Sequence, residues 1–524
     1  MARRGARMHV ELVEDDGTQD GPLPAVAPGS TPDGQGVVDV HARHLAPRAR
    51  RRVLAATATV VVALVAVGVV GQVREAARDR ARLAVVATLP QALAPLDGPP
   101  EVLWTATNDD VLWATARTPD GLLVGTRAGD DGGDTAQATD PVTGEVVWER
   151  ELLPASAAPP DARGDTRTRG GSCLTHGTDG EGLVCFAHNA RSVFGAAVQH
   201  RAPTVTRLLL LDPDDGAVVA DLSDAVDDTG IFPTFVVLDD LAVVGSVVDD
   251  DAHVVAVAPD GTVAWRATFP AVTSPASALP RYGPRVQVML LGDDLLVSTA
   301  GELRILDATG TVLRSFPVGP DELLSGTSGA SALTSPGSEQ LVFTRIGTRT
   351  VATGARTRLV RADRVGGLAG RWVPTGVDDG SADGLLLTVD GAGLHGWDSD
   401  GTWRWTAPRV PTSVGSAHVL AERVHVVVGS NLVTYDARTG AELWRSGGLT
   451  GQEPPLTDGR RLLVRAAGAD GRGTDLVALD AADGSVAWRT AFPPRVELLH
   501  ATFGALVGVT PLEDGARASV TVLG

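Results

Sequence analysis

The chain of 524 residues has no lysine, two cysteines, two tyrosines and only three asparagines, Asn108, Asn189 and Asn431. Each shortage excludes something. A lipid anchor needs a cysteine at its processing site, and the first cysteine here is Cys173. The missing lysine, beside a surplus of Ala, Val, Gly, Asp and Arg, is the coding bias of a GC-rich genome and carries no functional meaning. No G-x-S-x-G elbow, Walker loop or H-E-x-x-H string stands out. The calcium string D-x-D-x-D-G is absent too, although Asp runs occur at Asp130, Asp131 and Asp134, at Asp212, Asp214 and Asp215, and at Asp249 to Asp251. Tight turns use Asp and Gly anyway, so these read as turns and solvated surface. With 61 Gly, 33 Pro and 43% hydrophobic residues, the chain is not low in complexity and can fill a core.

Basic charge is also short, and unevenly so. The net charge is −19; residues 1–52 carry +1 and residues 74–90 carry +2, which leaves −22 on the rest. A surface that acidic repels nucleic acid and anionic headgroups, so nucleic-acid binding is excluded. Residues 1–52, rich in Gly, Pro, Asp and Arg with no apolar period, are expected to be a disordered tail. Four arginines, Arg48 and Arg50 to Arg52, then precede Val53 to Gly71, which has no charge and only Thr57 and Thr59 as polar residues. As a helix that run spans roughly 28 Å, close to the hydrocarbon thickness of a bilayer. A cleaved signal peptide would have a shorter apolar region nearer the start. The expectation is one transmembrane helix over 53–73, with the arginines placing the tail in the cytoplasm and the remainder outside. Residues 74–100 read as a stalk helix followed by a linker broken by Pro90, Pro95, Pro99 and Pro100.

From Glu101 onward one pattern returns. In Thr434 to Trp444, TYDARTGAELW, a short apolar strand ends on Asp436, a turn closes on Gly440, and Trp444 comes four residues later. Asp can cap such a turn, Gly can take its positive φ, and Trp offers a large apolar plate. The turn glycines Gly144, Gly216, Gly261, Gly310, Gly354, Gly401, Gly440 and Gly484 are followed at that spacing by Trp148, Ala220, Trp265, Arg314, Arg358, Trp405, Trp444 and Trp488. Slot spacings of 72, 45, 49, 44, 47, 39 and 44 residues give a period near 45, that of a four-stranded propeller blade. Near-continuous apolar runs such as Leu241 to Val248 read as strands buried between neighbouring blades. The expectation is an all-β propeller over 101–524 with eight blades, nine and seven remaining open, and Glu101 to Ala106 closing the ring beside the three C-terminal strands. The unit around Gly354 or that around Gly401 is the one most open to misreading.

Ala138, Asp140, Thr143, Gly144 and Trp148 match A-x-D-x-x-T-G-x-x-x-W, so the exported part resembles the quinoprotein, or PQQ, dehydrogenase-like propeller family. Enzymes of that family are expected to hold pyrroloquinoline quinone with calcium, under two adjacent cysteines and with Glu, Asn and Asp ligands. Cys173 and Cys185 lie 12 apart and asparagine is scarce, so that set is not carried over. The resemblance implies instead the non-catalytic scaffold branch of the BamB type, with no cofactor and no catalytic residue. The lipidated cysteine of that branch is replaced here by a helix anchor.

Cys173 and Cys185 fall opposite each other in a hairpin centred on Asp179, which suits a cross-strand disulfide. Free thiols are an alternative. So is zinc, because His176 and His188 each follow a cysteine by three residues; but residues three apart on a strand point to opposite faces. His395, His418, His425 and His500 show no paired spacing and suit core or surface roles. The in-phase set Trp148, Trp265, Trp405, Trp444 and Trp488 reads as packing between blades. Trp104, Trp113, Trp372, Trp397 and Trp403, out of phase, are the better candidates for a ligand. The expected function is a membrane-anchored extracytoplasmic scaffold that docks another envelope protein. A sensor of a small molecule or glycan and a quinone-dependent oxidoreductase are the alternatives.

Overall fold

The computed structural model describes residues 72–524 apart from the stretches 107–113, 130–132, 156–164, 168–170, 178–179, 194–198, 272–285, 318–321, 325–339, 346–355, 362–364, 412–413, 470–472 and 512–517 and the single residues 292, 300, 383, 409 and 452. The tail 1–52 and the apolar run Val53 to Gly71 thus lie outside the described residues, as do Trp113, Gly354, Asp130 and Asp131. Among the described residues no helix is long and apolar enough to cross a membrane. A helix occupies 72–87 and stops before Pro90, whose ring excludes the preceding residue from helical geometry.

Among the described residues beyond this helix the chain is built mainly from strands, with a short 3-10 turn at Ser223–Val226. Among the described residues there are nine mainly antiparallel sheets, eight of four strands and one of five, most with their strands laid down in chain order, plus a small three-stranded sheet. The first consists of Ala114–Arg117, Leu123–Ala128, Asp134–Thr139 and Val146–Leu153. The second runs from Ser172–His176 to Val218–Asp221, and the three-stranded insertion around Asp165–Arg167 accounts for the long 72-residue spacing before Ala220. The third to eighth end on Val263–Pro270, Val312–Pro317, Val365–Ala369, Trp403–Pro408, Glu442–Ser446 and Val486–Ala491. The seventh gains its fifth strand from Thr375–Asp378, which leaves the sixth sheet to pair in parallel with Ala417–Leu420.

The ninth sheet joins both ends of the chain: Leu498–Thr502, Ala505–Pro511 and Ala518–Leu523 take Val102–Ala106 as their outer strand, with Trp104 opposite Val522. Seven of the other eight carry the turn glycines. The fifth does not, which corrects the reading at Gly354. Arg358 lies within Arg356–Arg361, the third strand of that sheet, and the fourth strand is Val365–Ala369. The unit around Gly401 is a true outer hairpin between Gly393–Trp397 and Trp403–Pro408.

The second and third strands of each sheet are the most buried because each is covered on both faces; Leu241–Val248 has six consecutive buried residues. Most apolar clusters span two sheets, the one of Met289, Leu296 and Ile305 within the fourth being an exception. Leu152, Leu183 and Leu211 bind the first sheet to the second, Val254 and Leu295 the third to the fourth, and Leu394 and Val424 the sixth to the seventh. Val507 and Val522 meet Ala114 and Leu123, so the sheet built from the two termini packs on the first. This is the arrangement of a β-propeller.

Candidate functional site

The repeated hairpin is built from its turn outward. In the seventh sheet Asp436 Oδ1 accepts the amides of Arg438 and Thr439 at 3.0 and 2.8 Å, and the Gly440 amide closes on the Asp436 carbonyl at 2.8 Å. Asp140 does the same for Val142 and Thr143. In the shortened turn of the fourth sheet the Thr309 hydroxyl, then the Thr311 amide, hold the Asp307 carboxyl below the usual carboxylate range. Gly144, Gly216, Gly440 and Gly484 have φ between 66° and 74°, and the ladder slips by one residue beside each turn, for example between Thr434 and Tyr435. That slip turns the next aromatic toward the neighbouring sheet.

There the aromatic meets the next sheet's glycine. A Cβ on Gly216 would lie 2.5 Å from Trp148, on Gly310 2.5 Å from Trp265, on Gly440 2.6 Å from Trp405, and on Gly484 2.6 Å from Trp444. Trp148 Nε1 donates to the Pro213 carbonyl at 3.0 Å, Trp265 to Ala308 at 2.8 Å and Trp405 to Ala437 at 2.8 Å. Each acceptor is the residue just after the turn's Asp. The glycine is therefore needed twice, for its φ and for the absence of a side chain under the indole. Where the tryptophan is missing, leucine stands in: Leu222 lies over Gly261, where the second sheet has Ala220, and Leu368 lies over Gly401.

Trp104 belongs to this set, which corrects its reading as out of phase. It sits over Gly144 of the first sheet, with a Cβ distance of 2.6 Å, and donates to Pro141 at 3.1 Å. It looked out of phase because its strand is the outer strand of a sheet whose other three come from the opposite end of the chain. Trp488 stands apart. It packs beside Leu463 and Leu506, but the third and outer strands of the ninth sheet, Ala518–Leu523 and Val102–Ala106, are not joined by a turn; among the described residues its buried indole N–H meets no acceptor, and neither does that of Trp444 over Gly484. Of the other aromatics, Trp372 is buried, Trp397 donates to the Thr388 hydroxyl, and Trp403 is 56% exposed.

Cys173 and Cys185 are disulfide-bonded, directly opposite on adjacent strands and fully buried. Their histidines diverge: His176 faces Asp240 at 3.8 Å, while His188 accepts the Ala190 amide. Among the described residues no three His, Cys, Asp or Glu side chains converge as a metal set would.

One polar constellation was not legible from spacing. His395 reaches Asp390 through Nε2 and Thr406 through Nδ1, both at 2.8 Å, and Trp403 Nε1 lies 3.2 Å from the same Thr406 oxygen. The three partners sit on successive strands of the sixth sheet, so only the register brings them together. In the seventh sheet His418 accepts the Val377 amide and meets the Pro455 carbonyl, and His425 bonds Thr434. Burial keeps both neutral near pH 7, pushing His418 down to about 4 and His425 to about 3, the latter helped by His418 once that is protonated and by the Arg423 charge. A cavity of about 70 Å³ beside Ser246, His253 and Arg266 holds a water or two and is far below the size of a cofactor site.

The exposed counterpart of the indole ladder is apolar. The one or two residues just before each slot leave their side chains in solvent: Val146 and Val147, Val218 and Val219, Leu313, Trp403, Leu443 and Val486 are 41 to 63% exposed. They recur on the outer strand of sheet after sheet, forming a rim on strands that each have one unpaired edge.

Residues 428–520 match the family described as outer membrane protein assembly factor BamB. A comparison with curated proteins finds no significant match. Among solved structures, BamB from Moraxella catarrhalis is similar at 15% identity and a TM-score of 0.37, over 81% of this chain and 99% of that one. A dihydro-heme d1 dehydrogenase, NirN, in complex with DHE is similar at 16% and 0.37, over 74% and 76%. The computationally designed Ika8 protein is similar at 12% and 0.31, over 77% and 100%. With its Asp-capped turns and docked indoles, the repeat spanning residues 428–520 is that of the PQQ-like, BamB-type β-propeller family.

Proposed function

We propose that the chain is a protein-binding scaffold, held at a membrane by Val53 to Gly71 with the propeller on the extracytoplasmic side, and that it docks another envelope protein along its rim. The observation that carries this reading is the recurrence of exposed valine and leucine at the same outer-strand position, as at Val147 and Val219. Scattered apolar exposure needs no explanation, but repetition in register on free strand edges gives a partner a continuous apolar track with backbone groups beside it. The motif's own aromatics are consumed by packing, so recognition falls to the side chains outside them. The acidic surface fits a partner that is not nucleic acid, and the uncharged run after four arginines fits the anchor.

Photo-crosslinking residues placed at Val147 and Val219 of the full chain in intact cells test the reading. One discrete protein adduct is expected from both positions and none from Arg201, on the three-stranded insertion. Adducts of equal strength at Arg201, or none at the rim, would overturn it.

A further inference from the structure

The end of the helix at 72–87 and the segment that follows it are laid across the first turns of the last three sheets. Arg82 Nε lies 3.0 Å from Asp379 Oδ2, whose side chain is fully buried, and the same oxygen accepts the Ala421 amide of the seventh sheet at 2.7 Å. A buried carboxylate is thus held jointly by the helix and by a turn of the propeller. One turn later Leu83 and Val86 close over Gly459 in the first turn of the eighth sheet, where a Cβ would lie 2.9 and 3.2 Å from them.

Past the helix the contacts become main-chain. The Leu93 amide donates to Thr457 and the Ala94 amide to Gly504, both at 2.8 Å; in return Phe503 donates to Pro90 at 2.6 Å and Gly504 to Ala92 at 3.0 Å. Thr457 belongs to the eighth sheet, and Phe503 and Gly504 form the first turn of the ninth. Leu93 itself is 3% exposed, in one cluster with Leu463 and Leu476 of the eighth sheet and Leu506 and Leu523 of the ninth.

Trp488 faces this same seam. It is an indole without a receiving turn, because the outer strand of the ninth sheet, Val102–Ala106, is not joined by a turn to its neighbour Ala518–Leu523. The ninth sheet is completed only by noncovalent pairing of Val102–Ala106 with Ala518–Leu523. The seam that Trp488 faces is therefore the one that also depends on the pairing of Val102–Ala106 with Ala518–Leu523.

We propose that residues 82–97 are a second latch of the propeller. They bridge the seam between the eighth and ninth sheets at their first turns, so that the helix at 72–87 and closure of the ring are one device. Displacing the helix loosens the seam, and a loosened seam releases the helix.

Hydrogen exchange on the full chain in detergent tests this. In Leu93→Ala and in Arg82→Gln, exchange in Leu498–Thr502 and Ala505–Pro511 should rise about ten-fold, while Leu241–Val248 of the third sheet changes by less than about two-fold. An equal rise in both regions, or none in the ninth sheet, would overturn the latch. Should these variants fold poorly, a protease site inserted after Gly98, which has open space around it, leaves every latch residue unaltered. Cutting the folded protein there and removing the N-terminal fragment should raise exchange in the ninth sheet by a similar factor. Unchanged exchange after removal would refute the proposal.

Discussion

Two seams of the propeller use the same aromatic and differ in what receives it. Between the sixth and seventh sheets Trp405 is 3% exposed, lies flat over Gly440 and donates its N–H to Ala437. Between the eighth and ninth, Trp488 occupies the equivalent slot with no described glycine beneath it; its N–H lacks an acceptor, as that of Trp444 does even over Gly484. The difference shows that the docking unit is the pair of tryptophan and turn, contributed by two neighbouring sheets, and not the hairpin in which both letters of the motif are written. A hairpin gives its tryptophan to the next sheet and offers its glycine to the one before.

Truncating the aromatics would sharpen this contrast most. Trp405→Ala should cost about 3–5 kcal/mol in denaturant unfolding, the range for a buried aromatic that also loses a hydrogen bond. Trp488→Ala should cost less, about 1–2 kcal/mol, because an unsatisfied N–H leaves with it. Equal losses would mean that the receiving turn adds nothing.

Acidification acts on the seventh sheet next. His418 and His425 have their folded-state pKa values depressed to about 4 and about 3 from an ordinary 6.5. Between those limits the unfolded chain binds more protons than the folded one, so stability falls as pH falls from about 6.5, the His418 share levelling off below about 4 and the His425 share below about 3. At pH 5 the loss should be about 2 kcal/mol for each histidine. His425→Gln should flatten part of the slope in unfolding curves taken between pH 7 and pH 5, and an unaltered slope would exclude its burial as the cause. At the small end of the scale, Val147→Ser on the rim should shift stability by no more than about 0.5 kcal/mol while weakening the rim crosslink.

The strand plan was legible in the chain because each strand between two packed faces is nearly all apolar. Ala505–Pro511 and Ala518–Leu523 fall where the apolar runs place them. The ring closure by Val102–Ala106 was legible for the same reason. The phase of Trp104 was not, since its sheet is split across more than 400 residues of chain and no local spacing reveals it. The fifth sheet misled the reading because a glycine and an arginine happen to stand four apart at Gly354 and Arg358 without an outer turn between them. The His395, Asp390 and Thr406 contacts and the latch from Arg82 to Asp379 depend on register and on tertiary approach, and spacing along the chain encodes neither.

The central claim, that the motif's glycine exists to receive a neighbour's indole, is tested most directly by two substitutions at equal backbone angle. Gly440 and Gly473 both have φ of 70°, but a Cβ on Gly440 would meet Trp405 at 2.6 Å and one on Gly473 meets nothing within 4 Å. Chemical unfolding of Gly440→Ala should show a loss of about 3 kcal/mol or more, against about 1 kcal/mol for Gly473→Ala, where only the backbone is strained. Losses of the same size at the two positions would contradict the claim.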